Sequence, residues 1–181
     1  MSKAVMLSIR PKWCEKIASG EKTIEVRKTR PKLETPFKCY IYCTKDKNNH
    51  FWTGKRYSYA DDHSHNAFDK IGSGKIIGEF ICNQIYGLAP LNYAPDDVEK
   101  QARLTREEIV NYLKGTGYGW HISDLKIYDT PKELAEFHTQ KKCKSCSKSG
   151  YESTACSYDE NCMVPVAITK APQSWCYVEE V

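Results

Sequence analysis

Within the segment GEKTIEVRK (residues 20–28), the run TIEVRK alternates polar and apolar residues with a period of two, a pattern that suits a β-strand and not a helix. Ile24 and Val26 fall on one face, Thr23, Glu25 and Arg27 on the other, and Lys22 stands at the edge. An apolar run, AVMLSI (4–9), predicts a buried strand before it. Between the two lies PKWCEKIAS, with Pro11 at a first helical position and Gly20 as a C-terminal stop. Trp13 and Ile17, four apart, mark the core side of that helix.

Further along, a turn from Pro31 to Pro36 leads into FKCYIYCT, a strand by its aromatic and β-branched content. Residues 45–74 are a long polar loop, a length that usually signals function or mobility. KIIGEFICNQIYGL (75–88) reads as another strand, with Gly78 marking a bulge or a close backbone approach. LTREEIVNYLKG predicts a helix with Thr105 and Glu108 as a capping box and Gly115 as its stop. A strand at YGWHISDLKIYD, a helix from Pro131 to about His138, a cysteine-rich loop and a closing strand near SWCYVEE complete the chain. The order lacks regular alternation of strand and crossover helix. It argues for a single α+β domain over residues 1–181, a mixed or antiparallel barrel flanked by helices, and against a doubly wound parallel sheet.

The 181 residues are 40% apolar and 28% charged, as in ordinary globular proteins. No apolar run reaches the roughly 20 residues of a membrane span. The start, MSKAVMLSIRPKWCEK, lacks a long apolar stretch with a cleavage site, so the expectation is a cytoplasmic protein. Residues 1–58 hold 14 Lys and Arg against 5 Asp and Glu, a local +9 within a net +4. That third suits phosphate contacts, or is simply a solvated lysine face.

The polar face of the 22–28 strand groups a hydroxyl, a carboxylate and a guanidinium beside an ammonium. Glu25 can accept from a base amino group, while Lys22 and Arg27 can donate to phosphate or carbonyl oxygen. The bland alternative is an exposed Glu25–Arg27 ion pair that solubilises the sheet.

The stretch LSIRPKWCEKIASGEKTIEVRK resembles the signature of the ASCH family (activating signal cointegrator homology), with Gly20, Lys22, Glu25 and Arg27 at its Gly, Lys, Glu and Arg positions. GKIIGEF and the capped helix before GYGWHIS follow in the family's order. The resemblance implies a PUA-like small β-barrel flanked by helices, with an RNA-binding cleft. Acetylcytidine amidohydrolases of the same superfamily use a lysine, a threonine and a glutamate. Here Lys22 takes the lysine position, but Glu25 stands where the nucleophilic threonine would be. Thr23 lies two strand positions, roughly 7 Å, away. Relatives that cut RNA need only phosphate positioning and acid–base groups, for which Lys22 and Glu25 are the catalytic candidates beside Arg27.

Trp120 and Trp175 are candidates to line the same cleft and stack on a base, or else to fill the core. His121 is an acid–base candidate or a packed strand residue. Cys143 and Cys146 form a CxxC knuckle, and Cys156 and Cys162 follow. In a reducing compartment such a cluster predicts a structural zinc insertion over 143–162, with free thiols or disulfides as alternatives. The other five cysteines, Cys14, Cys39, Cys43, Cys82 and Cys176, read as small buried hydrophobes. Asp61 to His65 (DDHSH) offers a weaker second metal site. Three functions are therefore expected in descending order. They are a module binding RNA or a modified nucleobase, an RNA-acting hydrolase (ribonuclease or nucleoside amidohydrolase) in the same cleft, and a zinc-stabilised protein-interaction domain.

Overall fold

A computed structural model describes residues 2–46, 72–88, 94–143 and 162–181. Its elements are β1 (Lys3–Ile9), α1 (Pro11–Ala18), β2 (Ile24–Arg27), β3 (Phe37–Cys43), β4 (Ile76–Cys82) and β5 (Ile85–Gly87). They continue with α2 (Val98–Ala102), α3 (Arg106–Leu113), β6 (Tyr118–His121), β7 (Ser123–Lys132), β8 (His138–Lys142), β9 (Met163–Ala167) and β10 (Trp175–Glu179).

The strands form a five-stranded sheet in the order β10-β1-β3-β4-β7, a three-stranded sheet β2-β6-β5 and a hairpin β8-β9. Among the described residues, only β1 and β3 run parallel. A parallel pair needs a long crossover, which α1 and β2 supply. The chain is thus mixed α+β, mostly strand, and among the described residues its sheets stay separate rather than closing into one barrel.

Residues of β1 alternate between two cores, because the five-stranded sheet is covered on both faces. Val5, Leu7 and Ile9 join Ile17, Ile41, Phe80 and Trp120 in one core. Ala4 and Met6 join Tyr40, Tyr128 and Phe137 in the other. A third cluster packs Ile24 and Val26 of β2 against Val98, Ala102, Ile109 and Leu113 of the helices. Four of the five isolated cysteines are buried in these layers and Cys176 is half-buried.

Gly78 meets the expectation of close approach: a Cβ there would lie 2.4 Å from the Lys126 carbonyl oxygen. Three expected elements change. The segments 75–88 and 118–129 each divide into two strands that serve different sheets. The helix expected from Pro131 to His138 is absent. β7 instead runs through Pro131 to Lys132, paired at Ile76, and a 3-10 turn over Leu134–Glu136 follows. Proline is tolerated there because β7 is an edge strand.

Candidate functional site

The site begins where α1 ends. Gly20 takes a left-handed backbone (φ 75°), a conformation glycine adopts without steric cost, and the chain turns into β2. β2 pairs antiparallel with β6, placing Glu25 opposite Trp120 and Arg27 opposite Tyr118. Ile24 and Val26 face α2 and α3. Glu25 and Arg27 face the opposite way, toward β1, α1 and the approach to β10.

That polar face is not exposed, contrary to the sequence expectation. Lys22, Glu25 and Arg27 are only 2%, 7% and 6% exposed. Alternation tells which residues share a face, but a strand between two layers has no solvent face to offer. Glu25 holds both cations: its Oε2 lies 3.4 Å from Lys22 Nζ and its Oε1 lies 3.0 Å from Arg27 Nη2. Lys22 also donates to the Ala102 carbonyl at 2.7 Å. Arg27 Nη2 donates to the Ser8 carbonyl at 2.8 Å, and Nη1 to the Ser174 carbonyl and hydroxyl, each at 3.3 Å. Arg27 Nε is buried without a hydrogen-bond partner among the described residues. The solubilising ion pair is thus replaced by a buried triad.

The triad forms part of the wall of a cleft of about 390 Å³, lined also by Ser8, Arg10, Trp13, Thr44, Tyr112 and Gln173. With Arg10, three cationic side chains in this lining face a single carboxylate, Glu25. An uncompensated positive charge in a partly desolvated cleft favours an anionic or electron-rich guest. Burial lowers the Lys22 pKa from its ordinary value of 10.5, and the Glu25 carboxylate opposes that shift. The Lys22 ammonium lies 5.1 Å from the Trp13 ring centroid. Beneath the triad, burial pushes the Cys14 thiol up, with Cys43 and Glu25 adding to the effect and Arg27 opposing it.

Thr23 does not join the triad. It precedes β2, is half-buried, and its hydroxyl bonds the Gln101 side chain at 3.3 Å. Trp120 is fully buried and packs edge-on against Phe37, with ring centroids 5.8 Å apart, so it is a core residue. Trp175 is half-buried, packs at a tilt on Trp120 with ring centroids 6.1 Å apart, and donates to Thr29 Oγ1 at 2.9 Å. Neither tryptophan lines the cleft. His121 Nδ1 is engaged with Asn83 Oδ1 at 2.7 Å. The aromatic walls are instead Trp13, expected only as core, and Tyr112. Arg10 and Trp13 flank the Pro11 helix start, a signal present in sequence. Gln173, in the run before β10, carries no local signal.

Of the cysteine cluster, Cys143 and Cys162 close the β8-β9 hairpin, the Cys143 amide donating to the Cys162 carbonyl at 2.9 Å. Cys146 and Cys156 lie outside the described residues, as do Asp61 to His65 and most of the 45–74 loop. No group of three or more potential metal ligands occurs among the described residues. Among these residues, no helix is long and apolar enough to cross a membrane.

No protein-family model and no curated protein matches the chain. Solved structures do. A crystal structure of a serine-to-alanine mutant of the ASCH protein from Zymomonas mobilis is similar at 14% identity and TM-score 0.54. The match covers 98% of this chain and 89% of that one. A tyrosine-to-phenylalanine mutant of the same protein is 17% identical at TM-score 0.49, over 74% of this chain and 77% of that one. The ASCH structure from Zymomonas mobilis without a named mutation is 16% identical at TM-score 0.49, over 72% and 73%.

Proposed function

On the ASCH-domain fold that this chain has, we propose that it binds RNA or a nucleotide in the cleft walled by Lys22, Glu25 and Arg27. One observation carries this reading: three buried ionic side chains line an open cleft whose charge does not cancel. Fold maintenance alone gives little reason to bury an unbalanced set, because desolvating ions costs several kcal/mol each. A phosphate or a base carbonyl supplies the missing acceptor. Calorimetric titration with a nucleoside monophosphate and with single-stranded RNA tests it. Lys22→Met should weaken binding by about 1.5–3 kcal/mol, one charge-assisted hydrogen bond. Wild-type affinity in a folded Lys22→Met protein removes this reading.

The hydrolase reading has one observation in its favour. Burial makes Lys22 easier to deprotonate, a property of a general base, beside a carboxylate at 3.4 Å. Incubation with end-labelled RNA separates the two readings: cleavage that disappears in Lys22→Met makes the cleft an active site. No acetate release from acetylcytidine is expected. Glu25 occupies the position where that chemistry places its threonine, and the Thr23 hydroxyl is directed to Gln101.

A structural zinc ion held by Cys143, Cys146, Cys156 and Cys162 belongs to the same proposal. The β8-β9 hairpin supports it by bringing Cys143 and Cys162 to adjacent positions at one end. Elemental analysis should find about one zinc per chain. Metal-free protein purified under reducing conditions would sink it. A protein-interaction domain remains the outcome if zinc is present and RNA affinity is absent at low salt.

A further inference from the structure

We infer that the cleft is the end of a longer track, and that its ligand is a single strand of nucleic acid rather than a free nucleoside. The inference rests on the cleft reading above and names the substrate class. Its observations lie mostly outside the triad.

Cations on the surface beside the cleft are paired with aromatic rings. Lys12 Nζ lies 4.9 Å from the Trp13 ring, Lys28 Nζ lies 5.4 Å from Tyr112, and Arg30 Cζ lies 5.6 Å from Tyr118. Trp13 and Tyr112 are themselves cleft walls, so two of the pairs begin in the cleft. The third follows directly, since Arg27 sits opposite Tyr118 in the β2-β6 register. From Arg27 to Arg30 the chain spans at most about 10 Å. Lys12, Lys28, Arg30 and Lys32 are all exposed. Trp175 adds another ring, because its indole donates to Thr29, between Lys28 and Arg30.

Charge along this path is one-sided. Residues 10–32 hold eight Lys and Arg against three acidic residues, and none of the three lies beyond Arg27. Glu25 is committed to the triad, and Glu21 to Lys16 and Arg103. Exposed ammonium and guanidinium groups next to aromatic faces are what an unpaired strand requires. Phosphates meet the cations, and splayed bases stack on the rings. A duplex keeps its bases stacked internally and gains nothing from the rings. A nucleoside is too small to reach Arg30 from the triad.

The test compares a nucleoside monophosphate, a single-stranded RNA of about six nucleotides and a duplex of the same length. The proteins are wild type and the double variant Lys28→Ala/Arg30→Ala. Both substituted side chains are exposed and outside the cleft lining, so the variant should fold. The single strand should bind the wild type more tightly than either other ligand. The double variant should lose about tenfold of that affinity, and its log–log salt slope should fall by about 1.4, two phosphate contacts. Its affinity for the monophosphate should not change. A single strand bound no better than the monophosphate, a duplex bound equally well, or an inert double variant would overturn the track and leave the cleft reading intact. Binding of neither ligand by the wild type would overturn both.

Discussion

Glu25 pairs with two cations that have no other acidic partner among the described residues, so it decides whether the polar cluster can stay buried. Glu25→Gln keeps the shape and leaves Lys22 and Arg27 desolvated without a counter-charge. A loss of about 3–5 kcal/mol is expected in urea denaturation. Lys22→Met should cost less, because Glu25 then retains Arg27 at 3.0 Å. The reverse order would show that the carboxylate is not the centre of the triad. The identities of Lys22, Glu25 and Arg27 were legible in sequence, since a period of two groups Glu25 with Arg27. Their burial was not legible, because nothing within residues 20–28 reports that Ser8, Cys14 and Ser174 cover that face. Thr23 shows the limit from the other side: it shares the parity of Glu25 but stands before the strand begins, where Gln101 captures it.

The helix α3 supports β2 from behind, through Ile109 and Leu113 against Ile24 and Val26. Its start is a complete capping box, with the Glu108 amide donating to Thr105 Oγ1 at 3.1 Å and the Thr105 amide donating to Glu108 Oε2 at 2.8 Å. Thr105→Ala should cost about 1 kcal/mol, seen as a lowered thermal midpoint with no change in circular dichroism at 25 °C. The limits of α1 and this cap were readable because their signals are local. The divisions of 75–88 and 118–129 between sheets were not. A strand that leaves one sheet for another keeps the same apolar pattern throughout. The break at Ile122 and the irregular pairing near Asp124, which takes φ 48° within β7, carry no glycine to announce them. The strand through Pro131 has no local signal for a related reason, since edge position is a property of the finished sheet.

Across the molecule, buried thiols bear on stability at alkaline pH. Burial raises the Cys82 thiol from an ordinary 9.0 to about 12, and raises those of Cys39 and Cys14 in the same direction. A group whose folded pKa is raised gives its full contribution below 9.0 and loses it as pH climbs through the folded value. Lys22 has the opposite sign, because its lowered pKa makes folding easier as pH approaches 10.5. The raised thiols of Cys14, Cys39, Cys82 and Cys176 act in one direction, so stability should fall from pH 9 upward, and Cys82→Ala should flatten part of that slope in denaturation curves. Sheet order was the least readable level, because β1 takes its partners from both β3 and β10, the latter some 170 residues away in sequence. The same arrangement governs when the protein can act during its own synthesis. Ribosomes deliver chains from the N-terminus, and Arg27 emerges long before Ser174, whose carbonyl and hydroxyl it needs. Gln173 supplies part of the cleft wall at the same late stage. A nascent chain that has exposed its β2 is therefore a cationic segment without a pocket. Ribosome-stalled chains ending before residue 172 should capture no more nucleotide than an unfolded control, and selective binding should appear only once β10 has cleared the exit tunnel.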